Sequence, residues 1–257
     1  MSKFVTLFLV LPLILTACGK KSGSTTYHFN EDTSDRTEIS CPVQNNRTMV
    51  MFTFGQSNSA NALEKKYDNT DTRIVNYFNG KCYIAKDPLL GPDGTGGSQW
   101  VATAQKLMAS GNYDAVVINA FGVGGTSIKR WSFDGELVNR YQTKIKTSYT
   151  PTHFLWHQGE ADVNMSKEEY MSRLTNIIQT AQAAYPSAKF YVSKASYCLD
   201  RESSVIRSAQ SDPSIINNTS VFQGPNTDEI LDRWDNCHLS ALGQDRVSTI
   251  WAGLLSL

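Results

Sequence analysis

The sequence carries no surplus of charge of either sign: lysine plus arginine and aspartate plus glutamate both number 24 in 257 residues. Proteins that hold nucleic acid or an anionic surface present a basic face, and these totals give no case for one. Cys-x-x-Cys pairs are absent, which removes the usual spacing of a zinc ribbon or a thioredoxin-like redox centre. There is no internal repeat, so a solenoid or propeller is excluded. A glycine-rich stretch, "GPDGTGGS" (residues 91–98), has the spacing of a phosphate loop, but Gly97 stands where the lysine belongs. Without that charge a nucleotide phosphate has no counter-ion.

One long apolar run exists, "FVTLFLVLPLILTA" at residues 4–17. It is shorter than the ~20 residues a spanning helix needs, and Pro12 interrupts it. Lys3 before it and small residues at its end give it the layout of an export signal. Leu15-Thr16-Ala17-Cys18-Gly19 resembles a bacterial lipobox, which implies that Cys18 is the lipid-bearing first residue after cleavage. Gly19 is not aspartate, so the expected address is the outer membrane, facing the periplasm or the cell surface. Residues 18–40 are polar and nearly free of aliphatic side chains, and read as a tether.

Beyond residue 40 the composition is that of a globular domain, with 40% apolar and 19% charged residues over the whole chain. Short apolar runs alternate with amphipathic stretches. "TMVMFTF" (48–54), "YDAVVINAF" (113–121), "HFLWH" (153–157) and "KFYVSKAS" (189–196) read as strands, with "RIVNYF" (73–78) a weaker fifth. Helices are expected from a Ser98 cap to Gly111, from a Ser166 cap with Glu169 completing a capping box to Pro186, and from Ser240 to the C-terminus. In the second, Tyr170, Leu174, Ile177, Ile178 and Ala181 form a stripe at helical spacing. In the third, Leu242, Val247, Ile250, Trp251 and Leu254 do so. This alternation predicts an α/β fold, a mainly parallel central sheet with helices on both faces in a three-layer sandwich.

Functional residues of such sheets gather at the carboxyl ends of the strands. Four segments are expected there: Gly55-Gln56-Ser57-Asn58, "GVGGTSIKRW" (122–131), "WHQGEAD" (156–162) and "DRWDNCHLSALG" (232–243). They contain the parts of an acyl-transfer site. Ser57 supplies a hydroxyl at a strand-to-helix turn. His238 can serve as its base, and Asp235, three residues earlier, can fix the imidazole tautomer. The Ser57 and Gly125 backbone N–H groups and the Gln158 side-chain amide are the candidate oxyanion donors. Taken singly, Ser57 reads as a helix cap, His238 as a loop histidine, and Gly122, Gly124 and Gly125 as a tight turn. His153, His157 and Glu160 offer metal-ligand chemistry, but on a strand His153 stands at the far end from Glu160. Nothing in the acyl-transfer scheme needs a metal or another cofactor.

"GQSN", "GGTSIKRW", "WHQGEAD" and "DNCH", in this order, resemble the SGNH (GDSL-type) hydrolase superfamily, in the branch of sialate O-acetylesterases and carbohydrate acetylesterases. "DPLLGPDGTGGSQWVATAQKL" (87–107) is also similar to that branch. The resemblance covers the domain from about Met49 onward. It implies Ser57 as nucleophile, Asp235 and His238 as acid and base, and Gly125 as oxyanion glycine with Gly124 a one-residue alternative. It implies Gln158 where other members use asparagine. Ser59 stands where methionine is common. The substrate implied is an O-acetylated carbohydrate. Gln56, Asn58, Arg130, Trp131 and Glu160 are candidates for contact with it, although Glu160 and Asp162 also suit a loop-holding role and Arg130 and Trp131 a packing one. A lipase or thioesterase of the same superfamily, or an inactive sugar-binding lipoprotein, are the alternatives. Cys41, Cys82, Cys198 and Cys237 remain after Cys18 and permit three pairings or none. The layout favours Cys41–Cys82 and Cys198–Cys237, the latter stiffening the loop that carries Asp235 and His238.

Overall fold

The computed structural model describes residues 27–146 and 149–256. The expected export signal and Cys18 lie outside them. A single eight-stranded sheet runs through the described residues in the order β1-β4-β3-β5-β2-β6-β7-β8. Its strands are β1 (Glu38–Ile39), β2 (Thr48–Gly55), β3 (Ile74–Phe78), β4 (Lys81–Ile84), β5 (Ala115–Gly122), β6 (His153–His157), β7 (Lys189–Lys194) and β8 (Val221–Asn226). Six strands are parallel; β1 and β4 form an antiparallel margin. The helices are α1 (Trp100–Ala109), α2 (Val138–Ile145), α3 (Lys167–Ala184), α4 (Ser204–Gln210) and α5 (Ala241–Leu255).

Strand alternation sorts the central side chains into two cores. Phe52 and Phe54 of β2, Phe121 of β5 and Phe154 and Trp156 of β6 face α2, α3 and α4. Met49 and Met51, Val116 and Ile118, and Leu155 face the opposite way, toward α1 and α5. Trp100 and Trp251 meet where those two helices cross, with ring centroids 5.6 Å apart. The three-layer α/β sandwich expected from the sequence is present.

The α3 stripe is buried residue for residue as expected, and Ser166 Oγ accepts the Glu169 N–H at 3.2 Å. The box is only half made, because the Glu169 carboxylate turns to Arg173 and Lys129. Helix α1 begins two residues later than its expected cap; Ser98 Oγ accepts from Trp100 N–H in the turn before it. On α5 the stripe is narrower than expected: Leu242 and Ile250 are exposed, while Val247, Trp251 and Leu255 are buried.

Residues 27–40, expected as part of a tether, are packed on the domain. Arg36, almost fully buried, donates to the carbonyls of Lys86 and Pro88. Phe29 stacks on Phe121, and β1 pairs with β4. Two side chains, Phe29 and Arg36, and the β1 pairing thus hold this stretch on the domain.

Both expected disulfides are formed, Cys41–Cys82 and Cys198–Cys237. Two such bridges fit an oxidising, extracytoplasmic compartment.

Candidate active site

Strand β2 lies at the point where the chain reverses direction across the sheet, β3 to β5 falling on one side and β6 to β8 on the other. A crevice opens at such a point above the carboxyl ends of the strands. The chain leaves β2 through Gly55, whose φ is +132° and where a Cβ would sit 2.0 Å from the His157 carbonyl oxygen. Only glycine fits there. A single 3-10 turn, Ser57–Ser59, follows rather than an α-helix. Its first amide, that of Ser57, has no acceptor among the described residues, so the local positive end expected of a helix is supplied by orphan N–H groups of one turn.

Above this turn lies an open cleft of about 520 Å³, lined among others by Ser57, Asp93, Gly125, Glu160, Arg201 and His238. That volume is in the range of small-molecule sites. His238 Nδ1 meets Asp235 Oδ2 at 2.6 Å, and Asp235 Oδ1 accepts the backbone N–H groups of His238 and Cys237 at 2.7 and 3.0 Å. Partial burial works against ionisation of Asp235, but the N–H donors of His238 and Cys237 outweigh it and hold the carboxyl below its usual range. The carboxylate therefore fixes Nδ1 as the protonated nitrogen and leaves Nε2 as the acceptor. No direct hydrogen bond joins Ser57 Oγ to His238 among the described residues, and such bonds commonly tighten only with substrate bound.

The two glycine amides expected as oxyanion donors differ in what they already hold. Gly124 N–H donates to both Asp93 carboxylate oxygens, at 3.0 and 2.8 Å. Gly125 N–H has no acceptor among the described residues, and its φ of +64° is the left-handed conformation that glycine tolerates. Gly125 is thus the available donor and Gly124 is not. Asp93 was not among the expected site residues. Its segment was legible only as similar to the family, and its role depends on a contact across 31 residues. Burial raises its carboxyl above the usual range, partly opposed by the Gly124 bond.

Gln158 departs from its expected role. Its side chain is fully buried, and Nε2 donates to Asp162 Oδ2 at 2.6 Å and to the Thr126 carbonyl at 3.1 Å. Tyr170 OH donates to its Oε1. With both N–H bonds committed, the amide braces two loops in this structure.

The expected substrate contacts are also mostly structural. Gln56 Oε1 accepts the Ala161 N–H at 3.1 Å, pinning the third loop to the Ser57 turn. Asn58 is buried; Nδ2 donates to Glu160 Oε1 at 2.8 Å, and Oδ1 accepts the Leu239 N–H at 3.2 Å. It therefore couples the Ser57 turn to the His238 loop. Arg130 points to Glu136 and lies over the Tyr27 ring, away from the cleft. Trp131 is buried among Phe54, Phe121 and Trp156, its indole N–H given to Thr126 Oγ1. Size and apolarity draw that indole into the core beneath the loop.

Glu160 reaches the cleft wall but is held by the protein. His157 Nδ1 accepts from Gln99 Nε2 at 3.0 Å, which places the proton on Nε2, 3.5 Å from Glu160 Oε1. Burial opposes the Glu160 charge, yet the His157 and Asn58 donors prevail and lower its carboxyl. Asp162 accepts from Ser127 Oγ and Ile128 N–H, and so anchors the second loop. His153 stands at the other end of β6, where burial and Lys189 push it down to about 3.

Two further residues flank His238. Trp234, half exposed, lies over its ring at 6.3 Å and donates to the Ala62 carbonyl. Cys237 is bonded to Cys198, which brings the turn after β7 to the cleft.

The family model for carbohydrate esterases described as sialic acid-specific acetylesterases matches residues 47–255. No curated protein matches the chain. A solved Arabidopsis thaliana protein is 18% identical, with a TM-score of 0.66 over 81% of this chain and 97% of that one. A Clostridium thermocellum family 3 carbohydrate esterase is 14% identical, with a TM-score of 0.53 over 80% and 94%. A Talaromyces cellulolyticus family 3 carbohydrate esterase is 13% identical, with a TM-score of 0.53 over 80% and 96%. At such identities the structures share the fold with this chain.

Proposed function

Because the chain belongs to the carbohydrate esterase family of sialic acid-specific acetylesterases, we propose that it is a serine esterase that removes O-acetyl groups from a carbohydrate. The observation that carries the reading is the Asp235–His238 pair, bonded at 2.6 Å on the wall of the same cleft that Ser57 lines.

In this scheme Ser57 Oγ attacks the acetyl carbonyl carbon while His238 Nε2 takes its proton. Asp235 holds the imidazole in the needed tautomer and stabilises the imidazolium. The N–H groups of Ser57 and Gly125 receive the oxyanion. Collapse of the tetrahedral intermediate breaks the bond to the sugar oxygen, which takes the proton from His238. Water then attacks the acetyl-Ser57 ester, giving its proton to the same nitrogen, and acetate leaves with Ser57 restored. The carboxylates of Glu160 and Asp162 hold loops and are given no step.

We place the enzyme at the outer membrane, facing the periplasm or cell surface, anchored by lipid on Cys18. The apolar run at residues 4–17 and the lipobox-like sequence support that placement.

Treatment with a fluorophosphonate followed by peptide mass spectrometry tests the assignment. One adduct on the Ser57 peptide, with loss of acetyl-ester hydrolysis, is expected. An adduct elsewhere, or inhibition without any adduct on Ser57, contradicts it. Preference for long acyl chains would mark a lipase instead, and an intact fold that hydrolyses no ester would mark a binding protein.

A further inference from the structure

The cleft has two sides, set by the strand order. Elements on the β6–β8 side of β2 bring Glu160, Arg201 and His238 to it. The loop after β5, and the segment bonded to that loop, bring Gly124, Gly125, Gly94 and Asp93. Among the described residues lining this second side, Asp93 alone is ionisable. Glu160, across the cleft, is fully buried and already serves His157 and Asn58.

The Asp93 backbone is fixed on three sides. Its N–H donates to the Gly122 carbonyl at the end of β5, and its carbonyl accepts the Asn61 N–H from just past the Ser57 turn, both at 3.0 Å. Phe29 pairs with it in an isolated antiparallel bridge. The side chain is held less completely. A carboxylate offers about four acceptor sites, and here its two oxygens share one donor, the Gly124 N–H. No cation faces it: burial and the Gly124 bond are the only influences on its ionisation. The carboxyl also stands beside the nucleophile. A Cβ on Gly124 would lie 3.5 Å from Asp93 Oδ2 and 3.6 Å from Ser57 Cβ.

A half-buried acid without a cation, next to where an oxyanion forms, works against that oxyanion through charge repulsion. A hydrogen-bond donor brought by the substrate would offset this. An ionised carboxylate only accepts, and the donors a sugar carries around its ester are hydroxyls. We infer that Asp93 receives the free hydroxyl next to the acetylated one, so that the enzyme acts on partly acetylated sugars and rejects those in which that neighbour is blocked. The inference rests on the proposed esterase reading and adds a specificity residue. It also adds an order of events: a ring acetylated at both positions must first lose the neighbouring acetyl group to another esterase.

Mono-O-acetates of methyl xyloside, methyl galactoside and the methyl glycoside of N-acetylneuraminic acid are screened first, beside an aryl acetate. The sugar cleaved fastest is then compared with analogues whose neighbouring hydroxyl is replaced by hydrogen or methylated. The wild type should prefer the free hydroxyl by at least about 10-fold in kcat/KM, in keeping with one hydrogen bond to a charged group. Asp93→Ala should reduce that ratio to about 2-fold or less. Asp93→Asn keeps the shape and loses the charge, and should narrow the ratio at least about 3-fold. Both substitutions disturb the Gly124 bond, so the ratio within each protein is read rather than the absolute rate. A wild-type ratio below about 2, a ratio unchanged in both variants, or a wild type that cleaves the aryl acetate but no sugar acetate overturns the inference. If the folded wild type cleaves no ester at all, the esterase reading fails by itself. Calorimetric binding of the deacetylated sugars and their deoxy analogues to wild type and Asp93→Asn then decides the role of Asp93: a penalty for the missing hydroxyl that shrinks in the variant upholds it, and any other result overturns it.

Discussion

Gln158 Nε2 donates to Asp162 Oδ2 at 2.6 Å. Asp162 in turn receives Ser127 and Ile128 from the second loop, so the pair ties together the two loops that flank the nucleophile. Replacing Gln158 by Ala should cost about 1–3 kcal/mol of stability, because a buried carboxylate oxygen and the Thr126 carbonyl each lose a partner. Urea unfolding measures this. Unchanged stability with a 100-fold fall in turnover would return the amide to the oxyanion hole.

In the proposed mechanism Asp235 acts on the reaction through His238. With Asn at 235, the side-chain amide can donate to Nδ1 and impose the wrong tautomer. The expected loss in kcat is on the order of 10⁴-fold, with KM little changed and the circular dichroism spectrum that of the wild type. A loss below about 10-fold would show that the imidazole is oriented by something else.

The Cys198–Cys237 bridge closes a sequence separation of 39 residues and clamps a turn to the catalytic loop. Changing both cysteines to serine should lower stability by about 3–4 kcal/mol in the chain-entropy description. Loosening of the loop should also reduce kcat on an aryl acetate. Thermal unfolding and steady-state rates on the same samples report the two effects separately. Full activity in the double variant would limit the bridge to a stabilising role.

Asp87 gives the fold a pH dependence unrelated to catalysis. Burial drives its carboxyl up to about 7, with hydrogen bonds from Ser98 and Tyr67 offsetting only part of the rise. Between its unfolded value near 3.8 and about 7, the folded chain binds a proton that the unfolded chain has released. Stability from this group is therefore greatest at low pH, falls as pH rises through that window, and is level above it. Asp87→Asn should remove the slope. Between pH 5 and 8 the variant should gain about 2–3 kcal/mol on the wild type in urea unfolding. A difference that stays constant across that range would mean that Asp87 is already ionised in the folded chain at pH 5.

The parts of the site that depend on local sequence were legible before the structure. Ser57, Asp235 and His238 sit in short segments whose spacing carries their chemistry, and the α3 stripe and both disulfide pairs followed from period and layout. What was not legible depends on long-range partners. Asp162 lies only four residues from Gln158, but the amide's second acceptor, Thr126, is 32 residues away, and nothing near Gly124 announces Asp93. Arg130 and Trp131 follow a glycine-rich loop, yet the indole is drawn into the core and the guanidinium to Glu136. In the fold, β8 was obscured by Gly224 and Pro225, which a strand at the sheet edge tolerates. Strand β4 had a readable signal in Asn79-Gly80, a two-residue hairpin turn with both φ values positive, which apolar periodicity passes over.

In the proposed mechanism Ser57 performs the chemistry. Hydrolysis of a chromogenic acetyl ester by the full chain, beside Ser57→Ala and beside the butyryl ester, tests it most directly. Acetyl-ester turnover should fall by at least about 1000-fold in the variant, with unchanged folding, and the wild type should be slower on butyrate. Turnover that survives the loss of Ser57, from Ser59 or any other group, would contradict it.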